Sequence, residues 1–413
     1  MKKAAVIIVM LAFMLTQAGV AYGEDKQPAI SSGTGIVIDS STGEILYQKN
    51  KDEQAYPASL TKLITAILLE EHSVNGEWMT ASKKATQQEA SNYVFNLKIG
   101  EKMQKEEALK ALLVISANDV AMMIGEHIGG DGAAFAAMMN DKAASIGMTH
   151  THFVTPNGLH DPQHYTTAYD LALLAKEAMK YPAIMEAMGT EKTMVITDQR
   201  QVQIKDRSLI FQNPLALGGK TGFTDQAHNT LIEYMKKDNK TVIAVVMKST
   251  RQKEYSDVQT IGNYGLDHLE VQRMFQKDET IGETTFNGET VKGVLGDSFV
   301  LTKLKNNPAD FTYTPLFTKW QSGQASIKVG EVIGAYQIKK NGELLTQIPI
   351  VSAKEVIRSE PFTSSSEKSN ASSNWPFWTA AVLLLIGYAS FRRMKKRRQR
   401  AQVSTFSQQE YDA

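Results

Sequence analysis

The sequence contains no cysteine among its 413 residues. Disulfide bonds, thiolate metal sites and a cysteine nucleophile are therefore excluded. The chain also lacks an excess of charge of either sign, since its formal net charge is +1. Nucleic-acid-binding domains usually carry a marked positive excess, so we expect no nucleic-acid partner. The apolar content of 42% is that of an ordinary globular protein with a substantial core.

The N-terminal stretch has the pattern of an export signal. Lys2 and Lys3 precede an apolar run that ends in the small-residue sequence Ala21-Tyr22-Gly23. This order predicts a signal peptide over residues 1–23 that is removed from the mature protein. An uncleaved anchor is the alternative, but the polar pair Thr16-Gln17 shortens the apolar run.

The C-terminal stretch predicts a membrane anchor. A spacer rich in serine and asparagine over 361–374 precedes an apolar run over 375–391 that begins with aromatic residues. A basic tail over 392–413 follows, and the positive-inside rule then places this tail in the cytosol and the rest outside. An amphipathic surface helix and a nucleic-acid-binding tail are the alternatives. Because the run is apolar all round, a membrane span is favoured.

A serine and a lysine three residues apart form the first candidate site. Ser59 and Lys62 follow Pro57, and they open an apolar run with helical spacing: Leu60, Leu63, Ile64, Ile67 and Leu68. We expect a helix that begins at Pro57 and carries both side chains on one face. A serine hydroxyl needs a base, and a lysine can serve when burial or a nearby cation lowers its pKa. A helix-start serine and a solvated lysine would give the same pattern, so the motif alone is weak.

The pattern of elements predicts two folded domains. Residues 33–47 read as two strands, and helical periodicity follows at 105–115, 120–127, 133–146 and 167–179. After Pro182, which we expect to end the last of these helices, the pattern changes to strands that could pair in one sheet, and a helix over 255–269 closes the unit. Residues 24–270 are therefore predicted to form an α/β sandwich. The short alternating strands of 271–360 predict a small all-β domain.

Three short motifs follow one another along the chain. They are Ser59-Leu60-Thr61-Lys62, Ser116-Ala117-Asn118 and Lys220-Thr221-Gly222. The chain in this respect resembles the penicillin-recognising serine acyltransferases, which carry S-x-x-K, S-x-N and K-T-G in that order. Each motif is weak alone, but the three together in a chain with an export signal are specific.

The resemblance assigns a role to each motif residue. Ser59 would attack a carbonyl to give an acyl-enzyme, with Lys62 as the proton acceptor. Ser116 would relay a proton to the leaving nitrogen, and Asn118 would orient Lys62 and the substrate amide. Lys220 would disfavour the protonated form of Lys62 and attract a substrate carboxylate.

The K-T-G motif would also shape the substrate site. Thr221 would offer a hydroxyl to the same carboxylate, and Gly222 would leave room for a substrate lying along the strand edge. The backbone N–H groups of Ser59 and Phe223 would form the oxyanion hole.

Longer stretches resemble the low-molecular-mass penicillin-binding proteins, the serine D-alanyl-D-alanine carboxypeptidases. They are Tyr56-Pro-Ala-Ser-Leu-Thr-Lys62, Ser116-Ala-Asn-Asp119, Pro156-Asn-Gly-Leu159, His164-Tyr-Thr-Thr-Ala-Tyr-Asp-Leu171 and Gly219-Lys-Thr-Gly-Phe-Thr-Asp225. The resemblance covers roughly residues 30–360. It implies a β-lactamase/transpeptidase-like fold with a mainly antiparallel sheet and a helical cluster, without a metal or cofactor.

The resemblance also implies the substrate and the inhibitors. The substrates would be peptidoglycan stem peptides ending in D-Ala-D-Ala, and β-lactams would be covalent inhibitors. Arg251 matches the family's arginine that helps to hold the terminal carboxylate. Some members have a histidine directly after K-T-G where this chain has Phe223, so the side-chain contribution to substrate choice at that position stays open.

The three motifs leave three alternative functions. A class A β-lactamase needs a glutamate with an asparagine four residues later, and Glu177, Glu186 and Glu191 lack one. A metal enzyme would need more than the paired histidines of a loop region, which are His150, His152, His160 and His164. A non-catalytic wall-binding protein on the same fold would be expected to have lost a motif residue, but every motif residue is present.

Overall fold

The computed structural model describes residues 26–88, 95–286, 288–305, 309–318 and 326–357. The predicted signal peptide, linker, anchor and tail lie outside the described residues. Within the described part of the chain, no helix is long and apolar enough to cross a membrane.

The described helices are α1 to α8, together with a 3-10 turn at Ala58–Thr61. In chain order they are α1 Lys62–His72, α2 Lys83–Thr86, α3 Lys105–Val114, α4 Asn118–Gly129, α5 Gly132–Ser145, α6 Ala168–Ala178, α7 Pro182–Met188 and α8 Lys253–His268.

The strands of the first part of the chain are β1 to β9. They are β1 Thr34–Asp39, β2 Ile45–Lys49, β3 Trp78–Thr80, β4 Lys102–Gln104, β5 Lys192–Ile196, β6 Gln201–Lys205, β7 Ala216–Thr224, β8 His228–Lys237 and β9 Lys240–Ser249. Five of them form one antiparallel sheet in the order β2-β1-β9-β8-β7. Strand β7, which carries the K-T-G motif, is therefore an edge strand.

Helices cover both faces of this sheet. Residues 242–247 of β9 are all buried, as is the whole of β1, which explains why these strands read as continuous apolar runs rather than as alternating ones. One core lies between the sheet and the helical cluster, with Leu63 and Ile67 of α1 and Val120 of α4 among its members. A second core joins the opposite face of the sheet to α8. The predicted α/β sandwich is thus confirmed.

Two details differ from the sequence prediction. Pro182 was expected only to end a helix, but it is also the first residue of α7. A proline is tolerated there because the first N–H groups of a helix have no partner within the helix. Strands β5 and β6 pair only with each other within the described residues, as a separate hairpin outside the five-stranded sheet. Periodicity identifies such strands but does not give their partners.

The remaining strands, β10 to β18, build the all-β part. They are β10 Leu269–Phe275, β11 Thr280–Phe286, β12 Glu289–Leu295, β13 Phe299–Leu304, β14 Phe311–Phe317, β15 Ser326–Ile327, β16 Val332–Lys340, β17 Glu343–Ser352 and β18 Val356–Ile357. They enclose a core of their own, which includes Phe275, Phe286 and Ile338. Thr302 Oγ1 donates to Asp39 Oδ1 at 2.7 Å, which ties β13 to the end of β1.

Candidate active site

Ser59 lies in the 3-10 turn that precedes α1, not inside a regular α-helix as expected. The preceding residue, Ala58, has a φ of 48°, in the left-handed region that side chains other than glycine rarely occupy. Such backbone strain is characteristic of functional sites. The strained turn leaves Ser59 partly exposed, whereas its neighbours Ala58 and Leu60 are buried.

Lys62 makes three hydrogen bonds through its amino group. The Nζ atom lies 2.9 Å from Ser59 Oγ, 2.8 Å from Asn118 Oδ1 and 2.7 Å from the carbonyl oxygen of Asn157. A neutral amine has two N–H bonds and one lone pair. The carbonyl oxygens of Asn118 and Asn157 can only accept, so they take both N–H bonds. The lone pair then points toward the hydroxyl proton of Ser59.

The surroundings of Lys62 favour this neutral form. Its side chain is fully buried, and burial lowers its pKa well below the ordinary value. The positive charge of Lys220 lowers the pKa further, while the carboxylate of Asp119 partly opposes both effects. The predicted influence of Lys220 on Lys62 is therefore present, but burial is the larger cause.

The second motif lies where α3 ends and α4 begins. Ser116 has a φ of 60°, and its buried Oγ has no hydrogen-bond partner among the described residues. Asn118 is the first residue of α4, which fixes the direction of its side chain toward Lys62. Asp119 accepts from the backbone N–H groups of Phe95 and Leu97 at 2.9 and 3.0 Å, so it holds that segment beside the site.

Lys220 and Thr221 lie on the edge strand β7. The Lys220 side chain is buried, and burial lowers its pKa to about 8 although the charge of Asp206 opposes the shift. A carboxylate that reaches β7 would therefore meet a mostly protonated Lys220 at neutral pH. Thr221 is half-buried.

Gly222 lies where the 3-10 turn packs against β7. A Cβ atom at this position would lie 2.9 Å from the backbone nitrogen of Ser59 and 2.6 Å from Thr230 Oγ1. Only glycine allows the two elements to approach so closely. The side chain of the next residue, Phe223, is 48% exposed, so it is accessible beside the predicted oxyanion position.

Arg251 is the residue predicted from the resemblance to help hold the terminal carboxylate. It is exposed in the turn between β9 and α8, and no hydrogen bond joins it to Ser59, Lys62 or Lys220 within the described part of the chain. Its charge acts instead on buried Glu254, whose pKa burial raises to about 8.

Comparison with known proteins places this chain in a family. The sequence model of the peptidase S11 family, described as D-alanyl-D-alanine carboxypeptidase, matches residues 22–251, which is more than half of the chain. The chain belongs to the serine D-alanyl-D-alanine carboxypeptidases. A second model, for the C-terminal domain of penicillin-binding protein 5, matches residues 269–358.

Individual relatives of this carboxypeptidase agree with the assignment. The D-alanyl-D-alanine carboxypeptidase DacF of Bacillus subtilis is 31% identical over 338 residues, which covers 80% of this chain and 86% of DacF. The crystal structure of a Mycobacterium tuberculosis D-alanyl-D-alanine carboxypeptidase has a TM-score of 0.56 and 27% identity, and the match covers 60% of this chain and 95% of that one. Penicillin-binding protein 5 of Haemophilus influenzae shares the fold, including an all-β part, with a TM-score of 0.58 at 23% identity over 80% of this chain and 98% of that one.

The predicted family, fold and activity are confirmed by these matches. The carboxypeptidase is a serine peptidase that acts in peptidoglycan metabolism. The β-lactamase and the non-catalytic wall-binding protein are not supported, since the family model and the relatives are carboxypeptidases by description.

Two residues of the site were missed by the sequence prediction. The backbone carbonyl of Asn157 accepts from Lys62, and His164 bonds to Thr61 in the first motif. Both lie in stretches that carry the family resemblance, 156–159 and 164–171, and this was the only signal available. A backbone acceptor leaves no trace in residue type, and a loop histidine has many possible roles.

Proposed function

We propose that Ser59 is the nucleophile of this carboxypeptidase and that neutral Lys62 is its general base. The observation that carries the proposal is the position of the Lys62 amino group, 2.9 Å from Ser59 Oγ with both of its N–H bonds taken by fixed acceptors. An amine held in this way can accept a proton from Ser59 without first losing one to solvent.

Acylation then proceeds in two steps. Ser59 Oγ attacks the carbonyl carbon of the penultimate D-alanine while its proton passes to Lys62, and the backbone N–H groups of Ser59 and Phe223 stabilise the oxyanion. Collapse of the tetrahedral intermediate breaks the peptide bond. The leaving amine of the terminal D-alanine takes the proton from Lys62 through the hydroxyl of Ser116, whose Oγ has no hydrogen-bond partner among the described residues.

Water completes the cycle with Lys62 again as the base. It attacks the acyl carbonyl, gives a proton to Lys62, and Lys62 returns that proton to Ser59 Oγ as the acid product leaves. A β-lactam would acylate Ser59 in the same way, but its leaving nitrogen stays attached to the acyl group. The retained group would obstruct the attack of water, which accounts for inhibition.

The carboxylate of the terminal D-alanine is proposed to bind at β7. Lys220 supplies the charge, and Thr221 supplies a hydroxyl. The pairing of the peptide with the free edge of β7 would orient the scissile bond toward Ser59. Arg251 is proposed as an outer contact for the same carboxylate, reached from the turn after β9.

Covalent labelling tests the assignment of Ser59. We expect a fluorescent penicillin to label the wild-type protein and Ser59→Ala to abolish both labelling and release of D-alanine from a pentapeptide. Ser256→Ala, on the exposed face of α8, serves as the matched control and should label normally. Labelling that persisted in Ser59→Ala would show that another residue is acylated.

We also propose the domain limits and the location of the enzyme. A signal peptide over 1–23 and an anchor over 375–391 would hold the catalytic domain, 24–270, and the all-β domain, 271–360, outside the membrane. The linker over 361–374 and the basic tail over 392–413 would flank the anchor. The charge and hydropathy patterns of both ends support this. We expect a chain truncated before residue 375 to be released from membranes. We also expect the first residue of the exported protein to be Glu24.

A further inference from the structure

The imidazole of His164 lies between the first motif and the loop that carries Asn157. The side chain is 2% exposed, and its ring packs edge-on against Phe153 with centroids 5.5 Å apart. Nε2 lies 2.8 Å from Thr61 Oγ1. Nδ1 accepts from the backbone N–H groups of Val154 and Thr155 at 3.1 and 3.3 Å.

These contacts define the tautomer of His164. Backbone N–H groups only donate, so Nδ1 must present its lone pair, and the single proton of a neutral ring is on Nε2. Nε2–H therefore donates to the hydroxyl of Thr61. Burial lowers the pKa of His164 to about 4, so the ring is neutral at physiological pH.

The same loop contacts α1 and the 3-10 turn at three further points. The carbonyl of Pro156 accepts from Thr65 Oγ1 at 2.6 Å, and the carbonyl of Asn157 accepts from Lys62 Nζ at 2.7 Å. Gly158, with a φ of 78°, packs so closely that a Cβ atom would lie 1.9 Å from the carbonyl oxygen of Ala58. The loop thus holds the strained turn and caps the Lys62 amine.

We propose that His164 is a positioning residue that fixes the Asn157 carbonyl against Lys62 by bonding the start of the loop through Nδ1 and the first motif through Nε2. The inference rests on the proposed role of Lys62 as the base. His164 does not touch the reacting atoms. It acts by keeping one of the two acceptors that turn the lone pair of Lys62 toward Ser59, and by keeping water away from that amine.

The loss of the hydrogen bonds to His164 would change the pKa of Lys62. Without Nδ1, the two backbone N–H groups lose their acceptor and the loop relaxes away from α1. Water then reaches Lys62, and its pKa rises toward the ordinary lysine value because less of the burial penalty remains. The titratable groups that act on Lys62 are Lys220 and Asp119, and those that act on His164 are Asp161, His152, Lys62 and His160. None of them is substituted when His164 alone is changed.

Three substitutions separate positioning from packing. His164→Asn keeps an acceptor near the position of Nδ1, His164→Gln keeps a donor near that of Nε2, and His164→Leu keeps only apolar bulk. We expect the leucine variant to be acylated by a fluorescent penicillin about 10²-fold more slowly, as a small misplacement of a catalytic group allows. The acid limb of its rate–pH profile should move to higher pH. The asparagine variant should recover most of the rate and the wild-type profile, and the glutamine variant less.

His152→Asn is the matched control, since His152 lies on the same loop region with its Nδ1 near the Gln163 carbonyl and should show wild-type rates. The inference is overturned if the three His164 variants lose the same rate with an unshifted pH profile, which would mean packing alone, or if all three match the wild type.

Lys62→Ala is assayed in parallel. If that variant were acylated at the wild-type rate, the role of Lys62 would fail, independently of the His164 result. Thermal unfolding of each variant identifies any that is not folded, and the asparagine variant then decides the case.

Discussion

Two buried lysines of the site have environments that assign them different charges. Burial, and after it the positive charge of Lys220, holds the pKa of Lys62 well below the ordinary value, and its fixed hydrogen-bond acceptors, Asn118 and Asn157, are neutral. Lys220 is also buried, but the charge of Asp206 limits the fall of its pKa to about 8. A pair of titratable groups whose pKa values are pushed apart in this way can supply a base and a charge at one pH.

The charge of Lys220 should set the alkaline limit of substrate binding. As pH rises through about 8, Lys220 loses its proton and its attraction for the terminal carboxylate, so we expect KM for a pentapeptide to rise while kcat changes less. Steady-state release of D-alanine between about pH 6 and pH 10 measures this. Lys220→Arg, which keeps its charge over that range, should show a KM independent of pH even if its activity is lower. A wild-type KM that stayed constant to about pH 10 would contradict the assignment.

The sequence predicts which side chains form the active site better than it predicts which backbone groups do. Ser59, Lys62 and Asn118 were predicted from their motifs and are joined by hydrogen bonds. The acceptor supplied by Asn157 was not predicted, because every residue carries a backbone carbonyl and only the fold determines which one meets Lys62. Arg251 was predicted from the resemblance alone, and its role stays a prediction.

The approach of the 3-10 turn to β7 determines the width of the site. Gly222 is the contact point, and the nearest backbone atom is the nitrogen of Ser59, which cannot move without moving the nucleophile. The site therefore depends on the distance between two elements as well as on its side chains.

Gly222→Ala tests the importance of this distance. The added methyl group must displace either the 3-10 turn or β7, and we expect acylation by a penicillin to fall at least about 10-fold with a loss of stability of about 1–3 kcal/mol. The acylation rate and the free energy of unfolding in urea give the two results. Gly132→Ala at the start of α5 is the control, since its nearest neighbours would lie 3.7 Å from the new methyl group. Wild-type acylation by Gly222→Ala would mean that the contact is not needed.

The order of elements was predicted well, and their pairing less well. Periodicity identified α1, α3, α6 and the strands β8 and β9 because each has a long buried face. The strands β3 and β4 were missed, since each has three residues and only one of them is buried. The separate pairing of β5 with β6 was not predictable, because alternation defines the faces of a strand but not its neighbour.

The stability of the whole molecule is linked to pH through two buried glutamates. Burial raises the pKa of Glu233 to about 7 and that of Glu254 to about 8, from an ordinary value of 4.5. Each has one carboxyl oxygen, Oε2, with no hydrogen-bond partner among the described residues. Between the ordinary and the raised pKa, the native state binds a proton that the unfolded state has lost. These two groups therefore make the protein less stable as pH rises through that window.

Neutral substitution should remove this dependence. Because glutamine cannot ionise, Glu254→Gln should gain stability relative to the wild type as pH rises from about 4.5 to about 8, and Glu233→Gln should do the same up to about 7. Urea unfolding at several pH values within the window measures the difference. Glu283→Gln, at an exposed position of β11, should leave the pH dependence unchanged. Parallel stability–pH curves for the wild type and Glu254→Gln would refute the assignment.

The pairing of β1 with β9 has a consequence for the order in which the enzyme becomes competent during synthesis. Thr34 pairs with Met247, so the centre of the sheet joins the first strand made to the last strand of the sheet. A chain still on the ribosome carries Ser59 and Lys62 early, but it has no sheet to hold β7 against them until residue 249 has emerged. A partly made or truncated chain thus bears the nucleophile without an active site, and acyl transfer begins only when the first and the last strand of the sheet have paired.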